Sequence, residues 1–231
     1  MLRREDGHLA DGVLYGALRS SRELRDRGAE FRTGDVQLLG GRVTSTHRVS
    51  ANRADAVGAL CARADVILAA TGPAANPSDH LAEALAVLGA DIVLDGVAVR
   101  PGHPMLLARR PDGIPVIGLP GSPLAAVAGV LTLLEPLIAR LTGRALPSLR
   151  TAVLADGVPA ATDGGSQLVP VAIDDGGIAT LLPHAGPAML RGLAAADALA
   201  IAPPGGAESG VRIALLDLPW RDVSPAGGQL P

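Results

Sequence analysis

A chain of 231 residues has room for one large domain or two ordinary ones. Its residues are 48% hydrophobic but only 1% aromatic, and the net charge is −3. That leaves a core of Ala, Val, Leu and Ile, little stacking platform for unpaired bases and no global field for a polyanion, which argues against a nucleic-acid partner. No apolar stretch follows the opening Met-Leu-Arg-Arg-Glu-Asp-Gly-His, and no run approaches the roughly 20 apolar residues of a membrane span, so the chain reads as soluble and cytoplasmic with no membrane partner.

In chain order, Val13 to Arg27 has the apolar stripe of a helix (Leu14, Ala17, Leu18, Leu24) stopped by Gly28. Val36–Leu39 is a weak strand candidate. A second helix is expected from Arg53 to Arg63, with Asn52 as N-cap and Ala56, Val57 and Leu60 on one face. Within it Cys61 reads as an ordinary buried thiol, and as the single cysteine it excludes an intramolecular disulfide or a cysteine metal cluster. Asp65–Ala70 is an uninterrupted apolar run, the pattern of a strand covered on both faces of a parallel sheet. The Gly/Pro/Asn-rich loop Thr71–Asp79 leads to a helix over His80–Leu88, ended by Gly89. Strands follow at Ile92–Leu94, Val97–Val99, Met105–Ala108 and Val116–Leu119, then a long apolar helix from Leu124 to Leu141. This alternation predicts an α/β domain with a mostly parallel sheet. After Gly143 the pattern changes to short β runs at Val153-Leu154, Gln167–Ile173, Ile178–Leu182, Leu199–Ala202 and Val211–Leu216. Turns such as Asp163-Gly164-Gly165 and the hairpin signal Asp174-Asp175-Gly176-Gly177 separate them, one helical turn is expected near Met189–Ala195, and the tail after Trp220 is expected to fray.

The strongest local signal is Val99-Arg-Pro-Gly-His-Pro-Met105, followed sixteen residues after Pro104 by Pro120-Gly-Ser-Pro123. Two Pro-Gly turns at strand ends can turn backbone N–H groups into one crevice and cradle an anion. Arg100 would add a bidentate fork and His103 a donor whose charge follows pH. The same residues also fit two structural turns beside a surface arginine. Asp79-His80 by itself reads as a helix N-cap, and His47 and His184 as loop residues. No histidine spacing supports zinc, and the glycine-rich pieces fit neither a P-loop nor a dinucleotide fingerprint.

Gly96–Met105 (GVAVRPGHPM) and Gly118–Ala126 (GLPGSPLAA) resemble the paired signatures of the MoeA-type molybdopterin molybdenumtransferase family, usually Lys-Pro-Gly-Lys-Pro and Gly-Leu-Pro-Gly-Asn-Pro. Asp65–Gly72 (DVILAATG) is similar to the strand before that family's Gly-Gly-Val-Ser-Val-Gly loop. Ala188–Leu199 with Pro203–Gly206 resembles its C-terminal β domain. The resemblance runs from about Asp65 to Trp220. It implies a three-layer α/β, MogA-like molybdopterin-binding domain at 1–144, incomplete at its N-terminus, and a small mainly-β domain at 145–231.

It further implies magnesium-assisted insertion of molybdate into adenylylated molybdopterin with release of AMP, by a homodimer; the apolar helix Leu124–Leu141 fits a dimer contact. Asp79 matches the acidic position beyond the glycine-rich loop and is placed by the resemblance at the metal. Arg100 and His103 match the two lysines and would act on oxyanions. Thr71, Gly72, Ser78, Pro101, Gly102, Pro120, Gly121, Ser122 and Pro123 would shape the pterin-nucleotide crevice. The chain also departs from the pattern. Its loop is Thr71–Ser78 (TGPAANPS), where Pro73 lacks an N–H, and no Thr-Gly-Asp-Glu-Leu segment is present. Val49-Ser50-Ala51 stands where the family has an acidic pair. The family's N-terminal and elongated domains have no counterpart, although Arg27–Asp35 loosely resembles a stretch of that part. These departures set a second expectation beside the first: a pterin-nucleotide-binding module with little or no turnover. A third, adenylylation of molybdopterin by a related single-domain enzyme, is opposed by the C-terminal β region.

Overall fold

The computed structural model describes residues 7–10, 13–16, 42–44, 53–70, 80–183 and 190–220. The chain divides into two compact units, Met1–Arg32 and Thr33–Pro231. In the first, β1 (Gly7–Ala10) and β2 (Val13–Gly16) form an antiparallel hairpin with Ala10 opposite Val13. The expected helix over Val13–Arg27 is thereby corrected at Val13–Gly16. Val-Leu-Tyr suits a pleated strand, and the Asp11-Gly12 pair before it is a strong sequence signal for a hairpin. Residues 17–27, the Val36–Leu39 strand, the Asn52 cap, the 71–79 loop and the tail after Trp220 lie outside the described residues.

In the second unit, a four-stranded sheet is ordered β3 (Ile67–Ala70), β7 (Pro115–Leu119), β6 (Leu106–Arg109), β4 (Asp91–Asp95). Only β3 and β7 run parallel; β7–β6 and β6–β4 are antiparallel, so the expectation of a mostly parallel sheet is corrected to a mixed one. The cause is local. Pro111-Asp112-Gly113 between β6 and β7 is a tight reversal, in which Gly113 N–H donates to Arg110 O at 2.9 Å, and a reversal that short joins only antiparallel neighbours. Among the described residues β3 is an outer strand, and Ile67, Leu68 and Ala69 are half-buried and Ala70 exposed, so it is less covered than its apolar run suggested.

Helices α1 (Arg53–Leu60) and α2 (Leu81–Val87) cover one face of this sheet, where Leu60, Ala84, Leu85, Ala108 and Val116 form a buried cluster with Ala56 and Val57 against it. The α1 stripe is the one its sequence predicts, but the helix stops at Leu60, which leaves Cys61 exposed in the following turn instead of buried. The largely buried Arg110 satisfies the end of α1: its Nη1 donates to Leu60 O (2.8 Å) and Ala62 O (3.0 Å), and Nη2 to Asp112 (2.5 Å).

The other face of the sheet meets α3 (Pro123–Leu141), which passes through a π-helical stretch at Val130–Leu134 just before Pro136, whose missing N–H interrupts the regular ladder. A Cβ built on Gly129 would lie 2.7 Å from Leu119 Cδ2, so helix and strand are in close contact. By length and composition α3, 19 residues with mean hydropathy 1.8, could cross a membrane, which corrects the reading that no run approaches a span. Its apolar surface is used inside the chain: Leu124, Val127, Ala128 and Leu131 share a core with Leu168, Leu193, Leu199 and Leu218. A helix that meets a sheet on two sides carries apolar residues on both of those faces. The same packing accounts for the apolarity of the face that carries these residues.

The second sheet is ordered β10 (Ile178–Leu181), β8 (Arg150–Leu154), β12 (Arg212–Asp217), β11 (Ala198–Ala202), β9 (Ser166–Ile173), β5 (Val99–Arg100). Because β10 also pairs with β9, five strands close into a small barrel and β5 is an added strand on β9. The strands match the short runs read from the sequence, and the expected Asp174–Gly177 hairpin joins β9 to β10, with Asp174 N–H donating to Ile178 O (3.1 Å). Alternation along β11 shows how the barrel is filled. Ala198, Ala200 and Ala202 point into its core with Leu154, Val171 and Leu215, whereas Leu199 and Ile201 point out toward α3. The expected helical turn is α4 (Arg191–Ala195), whose Leu193 joins the α3 core.

Candidate functional site

Two loops carry the paired Pro-Gly segments. The first leaves β5 at Arg100, turns through Pro101-Gly102-His103-Pro104 and enters β6. The second leaves β7 at Leu119 and enters α3 through Pro120-Gly121-Ser122, with Ser122 at the N-cap and Pro123 in the first turn, where a missing N–H costs nothing. Both press on the same part of α3. A Cβ built on Gly102 would lie 3.3 Å from Ala128 Cβ and 2.7 Å from Met105 Cε; one built on Gly129 would lie 4.0 Å from Pro120 Cδ and 4.0 Å from Met105 Cβ. Segments some twenty residues apart in sequence therefore meet at the Ala128-Gly129 step with the fully buried Met105 between them.

The turns do not offer an open row of amides. Pro101, Gly102, Pro120 and Pro123 are buried, and Gly102 O accepts from Met105 N–H at 3.0 Å. Exposed are Arg100, His103, Pro104 and Gly121, with Ser122 half-buried. Arg100 lies on β5 opposite Gln167, and its Nε donates to Asp163 Oδ2 in the loop before β9. That hydrogen bond, helped by the Gly165 N–H, holds the Asp163 carboxyl below the ordinary carboxylate range. His103 Nδ1 donates to Val97 O at 2.8 Å. With that proton placed, neutral imidazole presents a lone pair at Nε2, and only the imidazolium donates there to an oxyanion.

Thr71, Gly72, Ser78 and Asp79 lie outside the described residues. His80 occupies the N-cap of α2 without a side-chain cap bond and instead faces Glu83, 3.3 Å from Nδ1 to Oε2. Among the described residues no group of three or more His, Cys, Asp or Glu side chains is placed to hold a metal. Arg100 and His103 are cation-bearing donors, so the described part of the site fits an oxyanion and does not fit magnesium. A shallow groove lined by Ile201, Pro203, Glu208, Val211 and Arg212 contains none of the predicted residues. Asp163 was legible only as part of a turn; its meeting with Arg100 spans 63 residues and leaves no sequence signal.

Residues 14–140, more than half of the chain, match the family described as a probable molybdopterin binding domain. A molybdopterin molybdenumtransferase from Nostoc sp. is 35% identical over 86 residues, 36% of this chain and 20% of that protein. The solved molybdopterin biosynthesis MoeA protein from Pyrococcus horikoshii is similar in fold, with a TM-score of 0.57 at 24% identity, over 72% of this chain and 40% of its own. A molybdenum cofactor biosynthesis protein from Pyrococcus furiosus gives a TM-score of 0.50 at 20% identity, over 65% and 48%. The chain thus spans a fifth of the curated relative and less than half of either structure.

Proposed function

The chain belongs to the molybdopterin-binding domain family, and from that premise we propose that it acts in molybdenum cofactor biosynthesis, inserting molybdate into adenylylated molybdopterin with release of AMP. The observation that carries the reading is the convergence of the two Pro-Gly segments on one turn of α3, with the exposed Arg100 directly preceding the first of them. In this reading Arg100 holds an oxyanion through its terminal nitrogens, and His103 joins it when protonated. The buried prolines fix the turns, while Gly121 and Ser122 offer an open approach at the positive end of α3. Thr71, Gly72, Ser78 and Asp79 complete the proposed crevice, and magnesium rests on Asp79 alone. Residues 1–144 would bind the pterin nucleotide and 145–231 form the C-terminal β domain, in a cytoplasmic protein with neither nucleic-acid nor membrane partner.

A second reading, binding with little turnover, is favoured by Val49-Ser50-Ala51 in place of an acidic pair, since loss of one charge-stabilising group in such sites costs about 10²–10³ in rate. Titrating the protein with adenylylated molybdopterin, with and without molybdate and magnesium, and following AMP separates the two. AMP release on molybdate addition supports insertion, binding without release supports the module, and absence of binding overturns both. Arg100→Ala is expected to weaken binding by about ten- to a hundred-fold, the worth of a charge-assisted hydrogen bond; unchanged affinity would remove Arg100 from the site.

The proposed homodimer now rests on the family resemblance. Light scattering at micromolar concentration is expected to give twice the 23.2 kDa chain mass, and a monomer mass would overturn that part of the proposal.

A further inference from the structure

The strand that carries Arg100 does not belong to the α/β layer in which its motif is found. β5 is hydrogen-bonded to β9, with Val99 opposite Ser166 and Arg100 opposite Gln167, and Ser166 N–H donates to Ala98 O at 2.9 Å. The loop before β9 is fitted closely to this strand: a Cβ built on Gly165 would lie 3.0 Å from Ala98 O, closer than an ordinary van der Waals contact. From that loop Asp163 reaches Arg100. Its Oδ1 accepts from its own loop at Gly165 N–H (3.3 Å), so the carboxylate is oriented before it meets the guanidinium, and its Oδ2 accepts from Arg100 Nε.

We propose that Asp163, supplied by the C-terminal β region, is a positioning residue that orients Arg100 for oxyanion binding. This rests on the reading of Arg100 as the oxyanion contact. The bond uses Nε, and among the described residues neither terminal nitrogen of Arg100 has a partner, so the end of the fork that suits a tetrahedral oxyanion stays open. The pair contributes direction more than energy. The side chains are 56% and 34% exposed, their mutual attraction is screened, and what Asp163 changes is the rotameric freedom of a long side chain. Asp163 is an acceptor through the neutral range as any aspartate is, and the hydrogen bond from Arg100 lowers its pKa further.

The test is molybdate titration by calorimetry of the whole chain and its Asp163→Asn, Asp163→Glu, Arg100→Ala and doubly substituted variants, with NMR of the arginine Nε–H. Asp163→Asn is expected to weaken molybdate binding by about two- to ten-fold, the cost of ordering one flexible side chain at the moment of binding. Asp163→Glu should restore part of it, and Asp163→Asn should add nothing in the Arg100→Ala background. The Arg100 Nε–H signal, protected in the parent, should exchange faster in Asp163→Asn at unchanged melting temperature. Unchanged or tighter binding by Asp163→Asn, with binding still lost in Arg100→Ala, overturns the positioning role and leaves the Arg100 reading intact. No molybdate binding by the parent, or no loss in Arg100→Ala, overturns that reading and the inference with it.

Discussion

Leu131→Ala is expected to lower the unfolding free energy by about 2–5 kcal/mol, the range for truncating a buried leucine without collapse of the cavity. Leu131 is 2% exposed and sits in the core that α3 shares with Leu168, Leu193, Leu199 and Leu218. Against a total stability of roughly 5–15 kcal/mol for a folded domain, such a loss is a large fraction of the whole. The location of the effect is informative as well. If α3 is the common wall of sheet and barrel, amide exchange should accelerate in Leu168–Val171 as much as in the helix itself. Urea unfolding followed by hydrogen exchange measures both. Barrel amides that keep their protection would show that residues 145–231 fold on their own, as the proposed two-domain division has it, with the helix merely resting on them.

A comparable loss, about 2–4 kcal/mol, is expected for Gly206→Ala, from a strained backbone and an overpacked contact acting together. Gly206 follows the Pro203-Pro204-Gly205 turn with φ of 79°, which an alanine adopts only at a cost, and its N–H donates to Pro203 O at 2.8 Å. An added Cβ would lie 2.7 Å from Ala160 N and 2.8 Å from Pro159 C, and these backbone atoms cannot swing aside. The neighbouring bridge, in which Val158 N–H donates to Ala207 O (2.7 Å) and Ala207 N–H to Val158 O (2.9 Å), would have to open. Gly205→Ala is the internal control. Nothing lies within 4 Å of a Cβ there, so a change within about 0.5 kcal/mol is expected. Equal thermal midpoints for the two variants would refute the packing argument at Gly206.

By itself the sequence determined those features that depend on neighbours along the chain. The barrel strands were legible because period-two patterning and Gly/Asp turns are local, and the Asp174–Gly177 hairpin follows from four adjacent residues. The α1 stripe and the long apolar α3 were visible for the same reason. The Pro-Gly segments were found as motifs, and the resemblance built on them agrees with the family match over residues 14–140. Where a short segment carried two signals, the reading went wrong. Val13–Gly16 satisfies a helical stripe and a strand alike, and pairing with Gly7–Ala10 decides it.

Only the tertiary structure decided what depends on residues far apart in the chain. An apolar run does not encode whether its neighbours are parallel, so the cover on β3 was overestimated and the sheet misjudged as mostly parallel. Hydrophobicity states that α3 must be buried but not against what; packing between sheet and barrel takes up the face that carries Leu124, Val127, Ala128 and Leu131. The pairing of Arg100 with Asp163 is likewise invisible from either residue, because an ion pair between side chains 63 positions apart has no periodicity to betray it. It exists because β5 leaves its own layer to join β9, a choice made by backbone hydrogen bonds that only the folded chain completes.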